Sequence, residues 1–204
     1  MEAPGQFQPF QEYRPGDIIA ERYDILKEIG RGGMSTIYRC RENVLQRNIA
    51  LKVINPAAIG AGSNYLERFR REAKSASAMD HPNIVRVFAS GVSSNGVAFM
   101  AMELLEGRTL EALLKAEGCL NQESFAEVFI PVLSALEYAH ENQIVHRDLK
   151  PANIMILTEK STGGSIIKML DFGVAKDLRQ EPDSSAALTR GLVGTPYYMS
   201  PEQC

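Results

Sequence analysis

The sequence predicts an α+β fold in which a β-rich first half feeds a helical second half, with a hinge near Glu103 to Gly107. Three observations lead there. Between Arg22 and Ala101, short runs rich in β-branched and aromatic residues are separated by glycine or polar turns, with one helical stretch interrupting them. After Gly107, apolar residues recur at helical spacing instead. The chain has 204 residues, 45% of them hydrophobic and 23% charged, which is enough apolar content for a sizeable core.

In chain order, residues 1–22 read as a flexible leader: the first 14 are rich in Gln and Pro, and Pro4, Pro9 and Pro15 break regular structure. Tyr23 to Ile29, Thr36 to Cys40 and Asn48 to Ile54 read as a strand meander. Asn64 to Met79 reads as a helix, with Leu66, Phe69, Ala73 and Ala76 at helical spacing, stopped by His81-Pro82-Asn83. Strands are expected at Ile84 to Ala89 and Val97 to Met102 around the Ser93-Ser94-Asn95-Gly96 turn. Thr109 to Ala116 is a short helix. Gln122 to Glu141 is a long one, with Phe125, Phe129, Val132, Leu136 and Ala139 on one stripe. Pro131 is expected to kink or split it, at a cost of about 3 kcal/mol unless accommodated. Ile154 to Leu157 and Ile166 to Leu170 are two short strands before a long irregular segment.

Composition narrows the function classes. A net charge of −3 argues against a general nucleic-acid or membrane surface. Cys40, Cys119 and Cys204 form neither a zinc spacing nor a disulfide framework, so a reducing, cytoplasmic setting is expected. No apolar run approaches the roughly 18–20 residues that span a bilayer, and no secretory signal is visible.

Gly30-Arg31-Gly32-Gly33-Met34-Ser35-Thr36-Ile37 lies between two predicted strands. Glycines let backbone N–H groups approach phosphates closely. Ser35 stands where a third glycine of G-x-G-x-x-G would fall, and such a loop alone is equally well a hairpin turn. A dinucleotide-binding reading would need a helix directly after it, whereas Thr36 to Cys40 reads as a strand. Lys52 is more informative. On a strand, Ala50 and Ile54 share its face, so a charge is set among apolar neighbours, and lysine is rarely buried without a partner. Glu72, on the helix stripe with Phe69 and Ala76, poses the matching problem. The two read as an ion pair, the alternative being Glu72 with Arg68 on an exposed helix edge.

His146-Arg147-Asp148-Leu149-Lys150-Pro151-Ala152-Asn153 is the strongest signal. Six defined positions would coincide by chance in roughly a few chains per million. Asp171-Phe172-Gly173 and Ser200-Pro201-Glu202 follow in order. Together these motifs resemble those of the eukaryotic-type Ser/Thr protein kinases, from Tyr23 to Cys204, and the Gly-Gly-Met-Ser loop with Phe69-Arg70-Arg71-Glu72-Ala73 is most similar to bacterial members.

The resemblance implies a bilobal fold: an ATP-binding lobe over 23–103 and part of a catalytic lobe over 104–204. It implies that Ile29, Gly30, Arg31, Gly32, Gly33, Met34, Ser35, Thr36 and Ile37 cover the ATP phosphates, and that Lys52, oriented by Glu72, holds the α- and β-phosphates. Ile37, Ala50 and Met155 would sandwich the adenine, with hinge backbone at Glu103 and Leu105. Asn153 and Asp171 would ligate Mg²⁺, Asp148 would orient the acceptor hydroxyl and take its proton, and Lys150 would stabilise γ-phosphate charge. Thr195 would support that Asp–Lys pair, and Arg147 would receive a phosphate on the activation segment, with Thr189 the best candidate beside Ser184 and Ser185. A pseudokinase is the competing reading, and intact Lys52, Asp148, Asn153 and Asp171 oppose it. The family continues past Glu202 with further helices, so the chain is expected to be part of a longer protein. Any membrane anchor would lie beyond Cys204.

Overall fold

The computed structural model describes residues 12–33, 35–55, 65–158 and 164–172 together with Tyr198; the side chains at 65, 68, 71 and 72 lie outside that description. The chain divides into two compact units, Met1–Arg70 with Phe88–Leu104, and Arg71–Val87 with Leu105–Cys204. The segment from Gly173 to Pro196, with Ser184, Ser185, Thr189 and Thr195, falls outside the described residues, as do Met34 and Ser200-Pro201-Glu202.

The first unit is built on a six-stranded sheet: β1 (Ile18–Ile19), β2 (Tyr23–Arg31), β3 (Ser35–Glu42), β4 (Arg47–Ile54), β5 (Val87–Val92) and β6 (Ala98–Met102). Its order is β1-β2-β3-β4-β6-β5. The expected meander therefore holds through β4, where β6 takes the next place, antiparallel, with Lys52 opposite Met100. Alternation along β4 sends Ile49, Leu51 and Val53 to one face, into a cluster with Tyr23, Ile25, Tyr38, Cys40, Phe99 and Ala101. Each large side chain buried there contributes about 1.5–3 kcal/mol. Ala50, Lys52 and Ile54 on the other face are buried too, so β4 is covered on both sides.

The leader ends earlier than residue 22. Residues 12–22 are built onto the sheet: Ile18 pairs with Asp24 and Ile19 with Tyr23, and Ile19 is buried. The proline-rich composition stops at Pro15, and the apolar Ile18-Ile19 pair finds an open sheet edge beside β2. At the hairpin end of β3 and β4, Glu42 is 1% exposed and accepts hydrogen bonds from Arg22 Nε at 2.9 Å and Arg47 Nε at 2.6 Å. Burial would push this carboxyl up, but the Arg47 and Arg22 hydrogen bonds outweigh it and hold it below the ordinary range.

Helix α1 (Tyr65–Ala78) follows the predicted spacing, with Phe69, Ala73 and Ala76 buried. In the second unit, β7 (Gly107–Thr109), β8 (Ile154–Thr158) and β9 (Ser165–Met169) form a three-stranded sheet in that order. β7 was not expected, because Gly107-Arg108-Thr109 carries no alternation to read. The strand expected from Ile84 begins only at Val87. Ile84 instead bridges Met169 in parallel, and Val85 N–H bonds the Met169 carbonyl at 2.9 Å, so residues 83–85 join β9.

Helices α2 (Leu110–Glu117) and α3 (Gln122–Glu141) are capped by Thr109 Oγ1 and Asn121 Oδ1, which accept from Ala112 N–H and Ser124 N–H. Pro131 does not split α3, which is one helix from end to end. Its buried residues are Val128, Val132, Ala135 and Ala139; Val132 and Ala139 of the expected stripe are covered and Phe129 and Leu136 are half-buried, but Phe125 is exposed. Phe125 stacks on Phe129 at 4.4 Å instead of entering the core. His81 does more than a turn residue would. Its Nδ1 accepts from Asn83 N–H at 3.1 Å, its Nε2 lies 3.3 Å from Ser134 Oγ, and its ring stacks on Tyr138 of α3.

Candidate active site

Helix α3 hands the chain to the 146–153 loop through a tight C-terminal turn. Ile144 N–H bonds Ala139 O at 2.8 Å and Gln143 N–H bonds His140 O at 2.9 Å, with Gln143 left-handed at φ 61°. Three residues on, Asp148 N–H closes a three-residue turn onto His146 O at 2.8 Å, with Arg147 at its centre at φ 61°. A γ-turn of this hand is rare and strained, and persists only where surrounding contacts over-determine it.

His146 is the main such contact. It is 2% exposed, and its Nε2 lies 2.9 Å from the Leu170 carbonyl, which can only accept. Nε2 therefore carries the proton, and Nδ1 accepts from Asp148 N–H at 3.3 Å. The imidazole is needed neutral. Burial pushes its pKa down, against the smaller opposing pull of the Leu170 hydrogen bond and the nearby Asp171 and Asp148. One ring thus ties the residue before Asp171 to the backbone of Asp148, and packs 4.6 Å from Phe172.

On this frame the polar residues converge. Lys150 Nζ lies 2.8 Å from Asp148 Oδ2. Asn153 Nδ2 donates to Asp148 O at 2.8 Å and to Oδ2 at 3.2 Å. With its amide nitrogen so committed, Asn153 has Oδ1 left to accept. The 3-10 turn Pro151–Asn153 sets Asn153, and Leu170 N–H bonds the Asn153 carbonyl at 2.9 Å, which brings Asp171 next to it along the chain. Asp171 is itself left-handed, at φ 53°. An amide oxygen and a carboxylate brought together this way are hard oxygen donors, the kind Mg²⁺ takes alongside substrate phosphates.

In the first unit, Lys52 is 3% exposed on the apolar face of β4, with Ile37 opposite it on β3 and Ala50 two residues away on the same face. Its expected partner Glu72 has its side chain outside the described residues. Gly30 and Arg31 end β2, and Gly32 N–H bonds Ser35 O at 2.8 Å across the hairpin. Gly33 lies beyond that bond, Ser35 and Thr36 open β3, and Ile29 is exposed on β2. None of Gly30, Gly32 and Gly33 has positive φ, and none meets a close neighbour where a Cβ would stand. The local backbone does not demand glycine there; what the glycines leave is backbone with no side chain over it. Glu103 and Leu105 sit in the irregular stretch 103–106, and Met155 is half-buried on β8, paired with Thr109.

One residue of this region escaped sequence reading. A Cβ on Gly107 would stand 2.3 Å from the Ile156 carbonyl oxygen, so only glycine lets β7 lie on β8. Its place as the last residue of the expected hinge was the available signal.

The protein kinase domain family matches residues 23–204. The serine/threonine-protein kinase pkn3 of Myxococcus xanthus is 40% identical over 190 residues, covering 92% of this chain and 34% of its own length. The crystal structure of the Mycobacterium tuberculosis PknI kinase domain superposes with a TM-score of 0.69 at 26% identity, over 81% of this chain and 63% of that one. Rad53 residues 1–466 in complex with AMP-PNP superpose with a TM-score of 0.64 at 27% identity, over 75% of this chain and 38% of that one. The chain thus spans about a third or less of the length of the curated relatives it matches.

Proposed function

Because the chain belongs to the protein kinase domain family, we propose that it carries the machinery for moving the γ-phosphate of ATP to Ser or Thr hydroxyls of proteins. The observation that carries this reading is the Asp148–Lys150–Asn153 cluster, held on a strained turn by a buried neutral His146. Phosphoryl transfer asks for positioning and charge neutralisation more than for covalent chemistry. Asp148, its carboxylate held by Lys150 and Asn153, orients the acceptor hydroxyl and takes its proton. Lys150 lies within reach of the same reacting centre, and its ammonium offsets charge on the transferred phosphoryl group. Lys52, buried on β4, binds the α- and β-phosphates with Glu72 as its orienting partner, and the loop from Ile29 to Ile37 covers them. Ile37, Ala50 and Met155 would receive the adenine, with backbone at Glu103 and Leu105 on its edge.

Asn153 and Asp171 would hold Mg²⁺, which would supply neutralisation of substrate phosphate charge. Lys150 in the Asp-Leu-Lys-Pro order favours Ser/Thr over Tyr as acceptor. We extend the reading to autophosphorylation at Thr189, whose phosphate Arg147 would receive, and to a cytoplasmic location where ATP is available. No helix among the described residues is long and apolar enough to cross a membrane.

Calorimetry with a non-hydrolysable ATP analogue, with and without Mg²⁺, tests the nucleotide half of this reading; equal affinity in both conditions removes Asn153 and Asp171 from their role. In the longer protein, Asp148→Asn is expected to abolish transfer while leaving nucleotide affinity nearly unchanged. Transfer surviving above about a few per cent of wild type would remove Asp148 from its role, since positioned proton transfer contributes roughly 10²–10⁴-fold.

A further inference from the structure

The glycine hairpin is weakly held by the core of its own unit. Past Ile25, β2 is exposed at Leu26, Lys27, Glu28 and Ile29, and its ladder with β3 shifts register twice, between Ile25 and Lys27 and between Glu28 and Gly30. What reaches the hairpin from outside is the chain before β1. β1 runs antiparallel to β2, so going back from Ile19 towards Glu12 means moving along β2 towards Arg31. Gly16 N–H bonds Ile25 O at 2.9 Å and Ile25 N–H bonds Asp17 O at 2.9 Å. Tyr13 then sets its ring edge-on to Tyr38, at 6.1 Å, and its hydroxyl accepts from Asn95 Nδ2 at 3.4 Å. At the far end, Glu12 Oε1 meets Arg31 Nη1 at 2.6 Å, while Glu28 takes Arg31 Nε and Nη2 at 3.0 and 2.7 Å. One guanidinium therefore joins β2, the start of the glycine loop and the preceding strap.

We propose that Glu12 is a positioning residue for nucleotide binding: through Arg31 the 12–19 strap holds the glycine hairpin in place, and the strap is built to be released. This rests on the ATP reading above. Two features make the hold marginal. The Glu12–Arg31 pair is exposed on both sides, so it is weak and sensitive to salt. The turn joining strap to β2 is closed by Arg22 N–H on Ile19 O and has both central residues left-handed, Ala20 at φ 51° and Glu21 at φ 54°. That is the geometry Asn-Gly serves best, and here it is occupied by residues that resist it. A hairpin ordered in advance does not charge its ordering to ligand binding, whereas a loosened one does.

The sign can be driven both ways. At low salt, Glu12→Gln should weaken binding of the Mg²⁺–ATP analogue about threefold, the scale of one exposed ion pair. Glu12→Asp should recover part of that, and Ala20→Asn/Glu21→Gly should tighten binding by a similar factor. In the longer protein the same changes should appear in the KM for ATP and leave kcat unchanged, and the Glu12→Gln effect should vanish at high ionic strength. Without nucleotide, amide hydrogen exchange at residues 27–33 should quicken in Glu12→Gln and slow in the turn variant. Exchange at these residues unmoved by either variant overturns the proposal, as does a Glu12→Gln binding change that persists at high salt. Exchange that shifts as stated in a chain that binds no ATP upholds the strap and overturns the ATP reading instead.

Discussion

Glu42 shows how one side chain can tie local pattern to stability. On sequence it is an ordinary charged residue just past the expected Thr36 to Cys40 strand; in the fold it is nearly inaccessible and clamped between Arg22 and Arg47, whose guanidinium also lies 3.8 Å over the Phe88 ring. Breaking a fully buried ion pair costs about 3–5 kcal/mol, and the partial exposure of both arginines lowers that, so Glu42→Gln should cost roughly 2 kcal/mol. The pH dependence follows from the depressed carboxyl. A group whose folded pKa lies below its unfolded value stabilises the fold above the unfolded value, here near 4.5, and loses that contribution as pH falls through the folded one. The wild-type advantage over Glu42→Gln, read from denaturant midpoints, should therefore be flat near neutrality and shrink below about pH 4.5. An advantage that grows on acidification would mean that the clamp is not what holds Glu42.

At the scale of elements, the short β7 matters more than its three residues suggest. It lies near the start of the Leu105–Cys204 segment of the second unit, and Thr109, its last residue, both pairs with Met155 and caps α2. Gly107→Ala would press a methyl group to 2.3 Å from the Ile156 carbonyl oxygen and 2.8 Å from Leu157 Cδ2. Backbone has to move, and strain of this kind costs about 1–3 kcal/mol, occasionally more. Thermal unfolding of Gly107→Ala is expected at a temperature several degrees lower, with Thr109 and Met155 amides losing exchange protection first. Gly33→Ala, where a Cβ meets nothing, is the control and should leave the unfolding temperature near wild type.

At the scale of the whole molecule, α3 turns a large apolar surface outward. Phe125, Ile130 and Leu133 are 53%, 66% and 62% exposed, and the last two line a shallow groove with Ser134 and Glu137. Contiguous exposed apolar surface of this kind promotes association. Replacing the two groove residues together, Ile130→Lys with Leu133→Glu, should raise the monomeric fraction of the 204-residue chain in sedimentation while leaving its unfolding temperature unchanged. A lower unfolding temperature would show that the two side chains pack against something in the folded chain.

Much of this protein was legible without the fold. The catalytic-loop motif, the strands from Tyr23 to Ile54, helix α1 and the burial of Lys52 among Ala50 and Ile54 all follow from period-2 and period-3.6 patterns, or from residue identity at fixed spacing. Such signals are local: they depend on a residue and neighbours a few positions away. Other features join residues far apart in sequence: β6 beside β4, Ile84 on Met169, Glu42 between Arg22 and Arg47, Tyr13 on Tyr38, and the space that only Gly107 leaves. The α3 stripe is the plainest case. Val132 and Ala139 of the expected stripe are buried, yet at the start of the helix Val128 is covered and the more hydrophobic Phe125 is not, because the surface a helix meets decides which of its faces is covered. The residues of the candidate site divide the same way. Their identities are written in the motifs, but the neutral tautomer of His146, the strained turn at Arg147 and the commitment of the Asn153 amide to Asp148 exist only where β9 brings Leu170 back to the loop.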